Sequence, residues 1–239
     1  MKKVVIILVF ITWGCSNDLE LENTLASFIS DKETVLDNVI ACAASNEDNE
    51  LVSIFLYPRP GATNIQFYEN NEADADKNNF EDYDLMEAPL LDVFNGFLKK
   101  FEVAINNEKW VVVTFEEDGK VHLSNPIRIK VKSRPTEYIS SNVAIDVSSN
   151  MPIFSWEDGI YDDTRIYFQV VTDNQNNFIS GTYTFERSFQ FYKLENVVLN
   201  ITPGIPVGLL PQTAYSFSLL AVSEDNWVNL FSVKEFSPE

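Results

Sequence analysis

Leu209-Leu210-Pro211-Gln212-Thr213-Ala214-Tyr215-Ser216-Phe217-Ser218-Leu219-Leu220-Ala221-Val222 is the stretch that decides the fold. From Tyr215 onward, Tyr215, Phe217, Leu219 and Ala221 recur at every second position. That period of two belongs to a strand with one face in a core. Working outward, further strands are expected over residues 143–147, 153–156, 166–171, 182–185, 189–194, 197–201 and 228–236. They follow one another at intervals of about 10 residues with no convincing helix between them, the rhythm of a β-sandwich.

The same rhythm runs through the first half. Strands are expected over 39–44, 51–57, 65–68, 98–105, 110–115 and 121–131. The clearest hairpin joins the last two through Glu117-Asp118-Gly119-Lys120. Asp-Gly between two apolar runs is a strong hairpin signal. In its second arm Ile127, Ile129 and Val131 alternate with Arg128, Lys130 and Lys132, so one face meets a core and the other meets water. Ser133-Arg134-Pro135-Thr136 reads as a linker. With 18 Phe and 9 Tyr against 8 Gly in 239 residues, the composition favours sheet. The expected fold class is all-β: two tandem β-sandwiches over 37–133 and 137–237, preceded by a leader over 1–14 and a tether over 15–36.

The second half resembles a fibronectin type III domain. Leu209, Pro211, Thr213 and Tyr215 match that family's Leu-x-Pro-x-Thr-x-Tyr corner, with Gln212 standing where the family usually has glycine. The resemblance implies that Tyr215 packs its ring inward and bonds upstream backbone through its hydroxyl. Trp156, in Pro152-Ile153-Phe154-Ser155-Trp156, matches the early-strand tryptophan that fills the sandwich core. The first half lacks the corner and is assigned to an immunoglobulin-like sandwich on rhythm alone. This architecture carries many jobs and names none.

At the N-terminus, Lys2 and Lys3 precede an apolar run from Val4 to Phe10, then Ile11-Thr12-Trp13-Gly14-Cys15. The layout is that of an export signal and is shorter than the roughly 20 residues of a spanning helix. Gly14-Cys15 resembles the end of a bacterial lipoprotein signal, with Trp13 and Thr12 where that family has a small residue and Leu. The resemblance implies cleavage before Cys15, lipid on Cys15, and attachment to the outer membrane. Cleavage by an ordinary signal peptidase, giving a soluble exported protein, is the alternative. Ser16-Asn17-Asp18-Leu19-Glu20-Leu21-Glu22 resembles the acidic surface-export signal of Bacteroidota lipoproteins. It reads equally as a solvated tether, so the surface-exposed and periplasm-facing orientations both stay open.

The formal net charge is -19; losing residues 1–14 removes two lysines and no acids, giving -21. Such a chain repels nucleic acid and anionic headgroups. Cys42 is the only cysteine besides Cys15, so lipid on Cys15 leaves no intrachain disulfide. Cys42 lies in Val39-Ile40-Ala41-Cys42-Ala43-Ala44 and reads as a structural thiol.

No catalytic constellation is evident. His122 is the single histidine, no G-x-S-x-G is present, and zinc sites of His and Cys fail on count. The acidic segment offers Glu72, Asp74, Asp76, Asn78 and Asp82 as a calcium cage, although Asn79 and Leu85 stand where an EF-hand needs Gly and Glu. Glu157-Asp158 and Asp162-Asp163 are paired acids, but a glycosidase needs two carboxyls facing across a cleft. Trp227 and Tyr161, near expected turns, are candidates for stacking on sugar rings. The expectation is a non-catalytic, lipid-anchored envelope protein acting as spacer or protein/glycan interaction module, with the membrane reached through the lipid on Cys15. A glycan-binding accessory lipoprotein, calcium-dependent through the acidic segment, is the first alternative. A hydrolase with an unrecognised site is the second.

Overall fold

The computed structural model describes residues 23–239. Cys15, the leader and the acidic stretch after it lie outside these residues. The chain is all-β, built as two β-sandwiches.

The first half begins with a short helix α1 (Leu25–Ile29), started by Thr24, whose hydroxyl accepts the Ser27 N–H at 3.2 Å. Its strands are β1 (Thr34–Val39), β2 (Ala41–Ser45), β3 (Val52–Leu56), β4 (Thr63–Glu69), β5 (Asp84–Met86), β6 (Leu90–Val93), β7 (Leu98–Val103), β8 (Lys109–Glu117), β9 (Lys120–Ser124) and β10 (Ile127–Ile129). One sheet runs β1-β9-β8-β4-β5 with β10 also on β8; the other runs β2-β3-β7-β6. The β8–β9 turn holds Asp118 and Gly119 at φ 51° and 78°, the left-handed pair that an Asp-Gly hairpin requires. The tether expected over 15–36 is folded from residue 23 onward. Leu25 is fully buried against Tyr68 and Tyr83, and β1 pairs in parallel with β9. The run read as one strand over 39–44 divides at Ile40, so β1 and β2 enter opposite sheets.

The second half contains β11 (Glu137–Tyr138), β12 (Val143–Asp146), β13 (Ile153–Trp156), β14 (Thr164–Asp173), β15 (Phe178–Thr184), β16 (Ser188–Gln190), β17 (Val197–Asn200), β18 (Tyr215–Ser223) and β19 (Val228–Phe236). Its sheets run β11-β19-β18-β14-β15-β17 and β12-β13-β16. Phe217, Leu219 and Ala221 pack between them with Phe154, Trp156 and Tyr167, as the alternation predicts. Tyr215 is buried, and its hydroxyl accepts the Leu210 N–H at 3.0 Å. Gln212 takes φ 57°, the left-handed conformation for which glycine is best suited.

The two sandwiches are not beads on a string. Each has its own core, and a third core lies between them. Ala44 and Leu98 from the outer face of the β2-β3-β7-β6 sheet meet Phe168, Val170, Leu220 and Val222 from the outer face of the larger second sheet. Four sheets therefore succeed one another as layers. The reason is written in β14 and β18, which bury both faces: Val170 alternates with Val171, and Leu220 with Leu219.

Candidate functional site: the junction between the sandwiches

Trp227 sits in the turn between β18 and β19, yet it is 0% exposed and belongs to the core of the first sandwich. Its indole N–H donates to the Arg134 carbonyl at 2.7 Å. Backbone bonds flank it: Ala43 N–H to Asn226 O at 3.0 Å and Arg128 N–H to Asp225 O at 2.9 Å. Trp227 therefore presents no ring to a ligand, which corrects the stacking role expected from its place in a polar turn. A turn is exposed only where nothing docks on it, and here the other sandwich does. Tyr161, the second stacking candidate, is half-buried with the Arg134 guanidinium 5.7 Å above its ring.

The linker is stitched into the same junction. Thr136 is buried; its N–H donates to Ser45 Oγ at 2.8 Å, and its Oγ1 accepts the Ser45 N–H at 3.0 Å and donates to Val228 O at 2.8 Å. Lys130 is buried between Asp225 at 2.9 Å and Asp163 at 3.3 Å, and Asp163 also pairs with Arg134 at 2.7 Å. Burial works to raise the Asp163 carboxyl, but Asn229, Lys130 and Arg134 together hold it below the usual range.

These charges border a cleft of about 570 Å³ lined by Asp162, Asp163, Glu224 and Asp225 with Lys77, Trp110 and Arg165. Here the fold brings together acids far apart in the chain. Asp163 and Asp225 are committed to cations, and the Asp163 carboxyl, held low, is the opposite of a general acid, which must hold its proton. The Trp110 ring already has Lys77 and Arg128 over it at 5.4 Å each. Asp158, of the other acidic pair, accepts the Tyr167 hydroxyl at 2.6 Å and pairs with Arg187.

The calcium candidates lie apart from this junction. Glu72, Asp74, Asp76, Asn78 and Asp82 are all exposed. Asp76 accepts the Asn78 N–H at 2.9 Å, and Asp82 accepts the Asn79 amide at 2.9 Å. Among the described residues, no three His, Cys, Asp or Glu side chains come close enough to hold a metal ion. The segment is fastened instead by Tyr83, fully buried, whose hydroxyl donates to Lys77 O at 2.9 Å.

A second recess, of about 500 Å³, opens between the sandwiches on the β1–β2 side. Exposed Asp37, Asn38 and Asn125 lie at its mouth, and buried Phe168, Tyr183, Leu220 and Val222 form its floor. Beside the mouth, Arg59 binds Glu117 at 2.7 Å and approaches His122 Nδ1 at 3.0 Å, while Asn38 Oδ1 lies 2.8 Å from the same nitrogen. The Arg59 hydrogen bond keeps the Glu117 carboxyl low. His122, expected as an ordinary strand residue, holds this corner together with its ring stacked on Phe115. Cys42 faces the recess, and burial pushes its thiol up to about 12; it is therefore no ready nucleophile. Sequence reasoning did not find this recess, since its lining comes from both halves. The run of small residues in β2 was the one local signal.

No family model matches the chain, and no curated protein matches it. Among solved structures, the chicken CNTN1 FN1-FN3 domains are similar at 12% identity and TM-score 0.31, over 87% of this chain. The chain spans 65% of the length of that structure. A cytokine receptor complex is similar at 11% identity and TM-score 0.28, over 83% of this chain and 100% of that one.

Proposed function

We propose that this chain is a non-catalytic, lipid-anchored cell-envelope protein whose two sandwiches work together as one rigid interaction module. The observation that carries the reading is Trp227, a residue of one sandwich serving as core of the other. Domains joined by small polar contacts move relative to each other by default. A shared apolar core removes that freedom, so the surfaces of both sandwiches are offered to a partner in one fixed geometry. A rigid body of this kind suits a spacer or a docking platform.

The anchor is carried by Gly14-Cys15 after the apolar run. The net charge of -19 opposes anionic headgroups, so attachment depends on the lipid. One acyl chain holds only marginally and stable anchoring takes two, which the diacylglyceryl group of a lipoprotein supplies. Fractionation of cells expressing Cys15→Ala tests this: the variant should leave the membrane fraction, and persistent membrane association would overturn the reading. Titration of the protein against a broad glycan panel, with and without calcium, tests the partner class. Saturable binding there would replace the spacer reading with that of a glycan-binding lipoprotein.

A further inference from the structure

The recess between the sandwiches has a physical origin in β2. Sheets pack about 10 Å apart, a gap that large side chains must fill. β2 offers Ala41, Cys42, Ala43 and Ala44 in succession, and the facing sheet supplies Phe168 and Tyr183, whose rings stack on one another at 4.4 Å. Cys42 packs against that cluster but fills little of the gap, and about 500 Å³ is left open. That volume falls within the range of small-molecule sites, roughly 300–1,000 Å³.

Two features make this more than a packing defect. First, Tyr183 is only 8% exposed and lines the recess, yet its hydroxyl has no hydrogen-bond partner among the described residues. The ring is buried while the hydroxyl stays reachable from the recess, so it is open to the polar group of a ligand. Burial, with Cys42 adding to it, keeps this phenol protonated far above the physiological range, so it stands as a neutral donor and acceptor. Second, the nearest cation, Arg59, is spent on Glu117, and the mouth carries Asp37. The recess therefore has an apolar, aromatic wall with the hydroxyls of Tyr57 and Tyr183 unpaired among the described residues, and no free positive charge for an anionic ligand.

We propose that this recess is a binding site for an uncharged, ring-bearing apolar molecule whose hydrogen-bonding group is held at Tyr183. The ring packs against Phe168 and Tyr183 beneath Cys42, and the polar group meets the Tyr183 hydroxyl. The site depends on both sandwiches, since Cys42 and Tyr183 come from opposite halves.

The test uses the full chain carrying Cys15→Ser, so that Cys42 is its one thiol. The probe is N-phenyl-1-naphthylamine, which is neutral and aromatic, carries one N–H, and brightens on leaving water. Saturable enhancement with one probe per chain is expected. Tyr183→Phe, which keeps the ring, should weaken binding about 3- to 10-fold, the worth of one hydrogen bond. Cys42→Leu, which fills the space, should weaken it more than about 10-fold, because overpacking leaves no room for the ring. The anionic analogue 1-anilinonaphthalene-8-sulfonate should bind at least about 10-fold more weakly than the neutral probe, for want of a free cation. No saturable enhancement, equal affinity in Tyr183→Phe, or equal affinity for the sulfonate would each overturn the proposal.

Discussion

The indole N–H of Trp227 donates to the carbonyl of Arg134 at 2.7 Å, across a sequence separation of 93 residues, and ties the β18–β19 turn to the linker. Around that bond the second sandwich inserts a tryptophan into the core of the first.

Trp227→Ala should therefore destabilise both halves. Removing a large buried aromatic costs about 3–5 kcal/mol, and the Arg134 carbonyl loses its partner as well. Chemical denaturation of the parent should give one cooperative transition. In the variant, the first sandwich should unfold first and separate from the other. A single transition at unchanged midpoint would contradict the shared-core account.

Tyr215→Phe isolates the corner. The ring stays in the core and only the acceptor for the Leu210 N–H is lost. The expected cost is about 1 kcal/mol, read as a lower urea midpoint at unchanged slope.

Gln212 sits in left-handed backbone at φ 57°. Gln212→Val should cost about 1–2 kcal/mol, since a β-branched residue is a poor occupant of that region. Gln212→Gly relieves the strain but loosens the unfolded chain, so its change should stay within about 1 kcal/mol. Thermal melts of the two variants side by side decide whether the corner's backbone, rather than the Gln side chain, sets the requirement.

Asp163 binds Lys130 and Arg134 across the junction. Its folded carboxyl is held below the usual range by Asn229, Lys130 and Arg134 against the effect of burial. A depressed folded pKa contributes stability above the unfolded value, near 3.9 for Asp, and loses it as pH falls through the folded one. The stability gap between parent and Asp163→Asn should therefore be full at neutral pH and shrink in the acid range below about pH 4. Denaturant midpoints of the pair across pH 2–7 measure it. A gap that grows on acidification would contradict the sign.

How much was legible beforehand follows from the range over which each signal acts. The Tyr215 corner, the Asp118-Gly119 hairpin and the alternation of β18 are local, so the residues that write them are neighbours in the chain. The exposed acids from Glu72 to Asp82 were legible as an acidic segment but not as a site, because convergence is a property of the path between them. Trp227 misled because a polar turn at the end of a hairpin ordinarily meets water. The one hint was in β14 and β18, whose apolar residues occupy both faces. A strand with two apolar faces needs two layers to cover it.

By itself the sequence determined an all-β chain, two sandwiches and a corner tyrosine, because a two-residue period and turn chemistry are set by adjacent residues. The tertiary structure alone decided that the sandwiches share a core, that Asp163 meets Lys130 and Arg134, and that Cys42 leaves open a space under Tyr183. Those relations join residues about 30 to 185 positions apart. Contacts at such separations depend on which faces meet when whole sheets stack, and no local pattern records that choice.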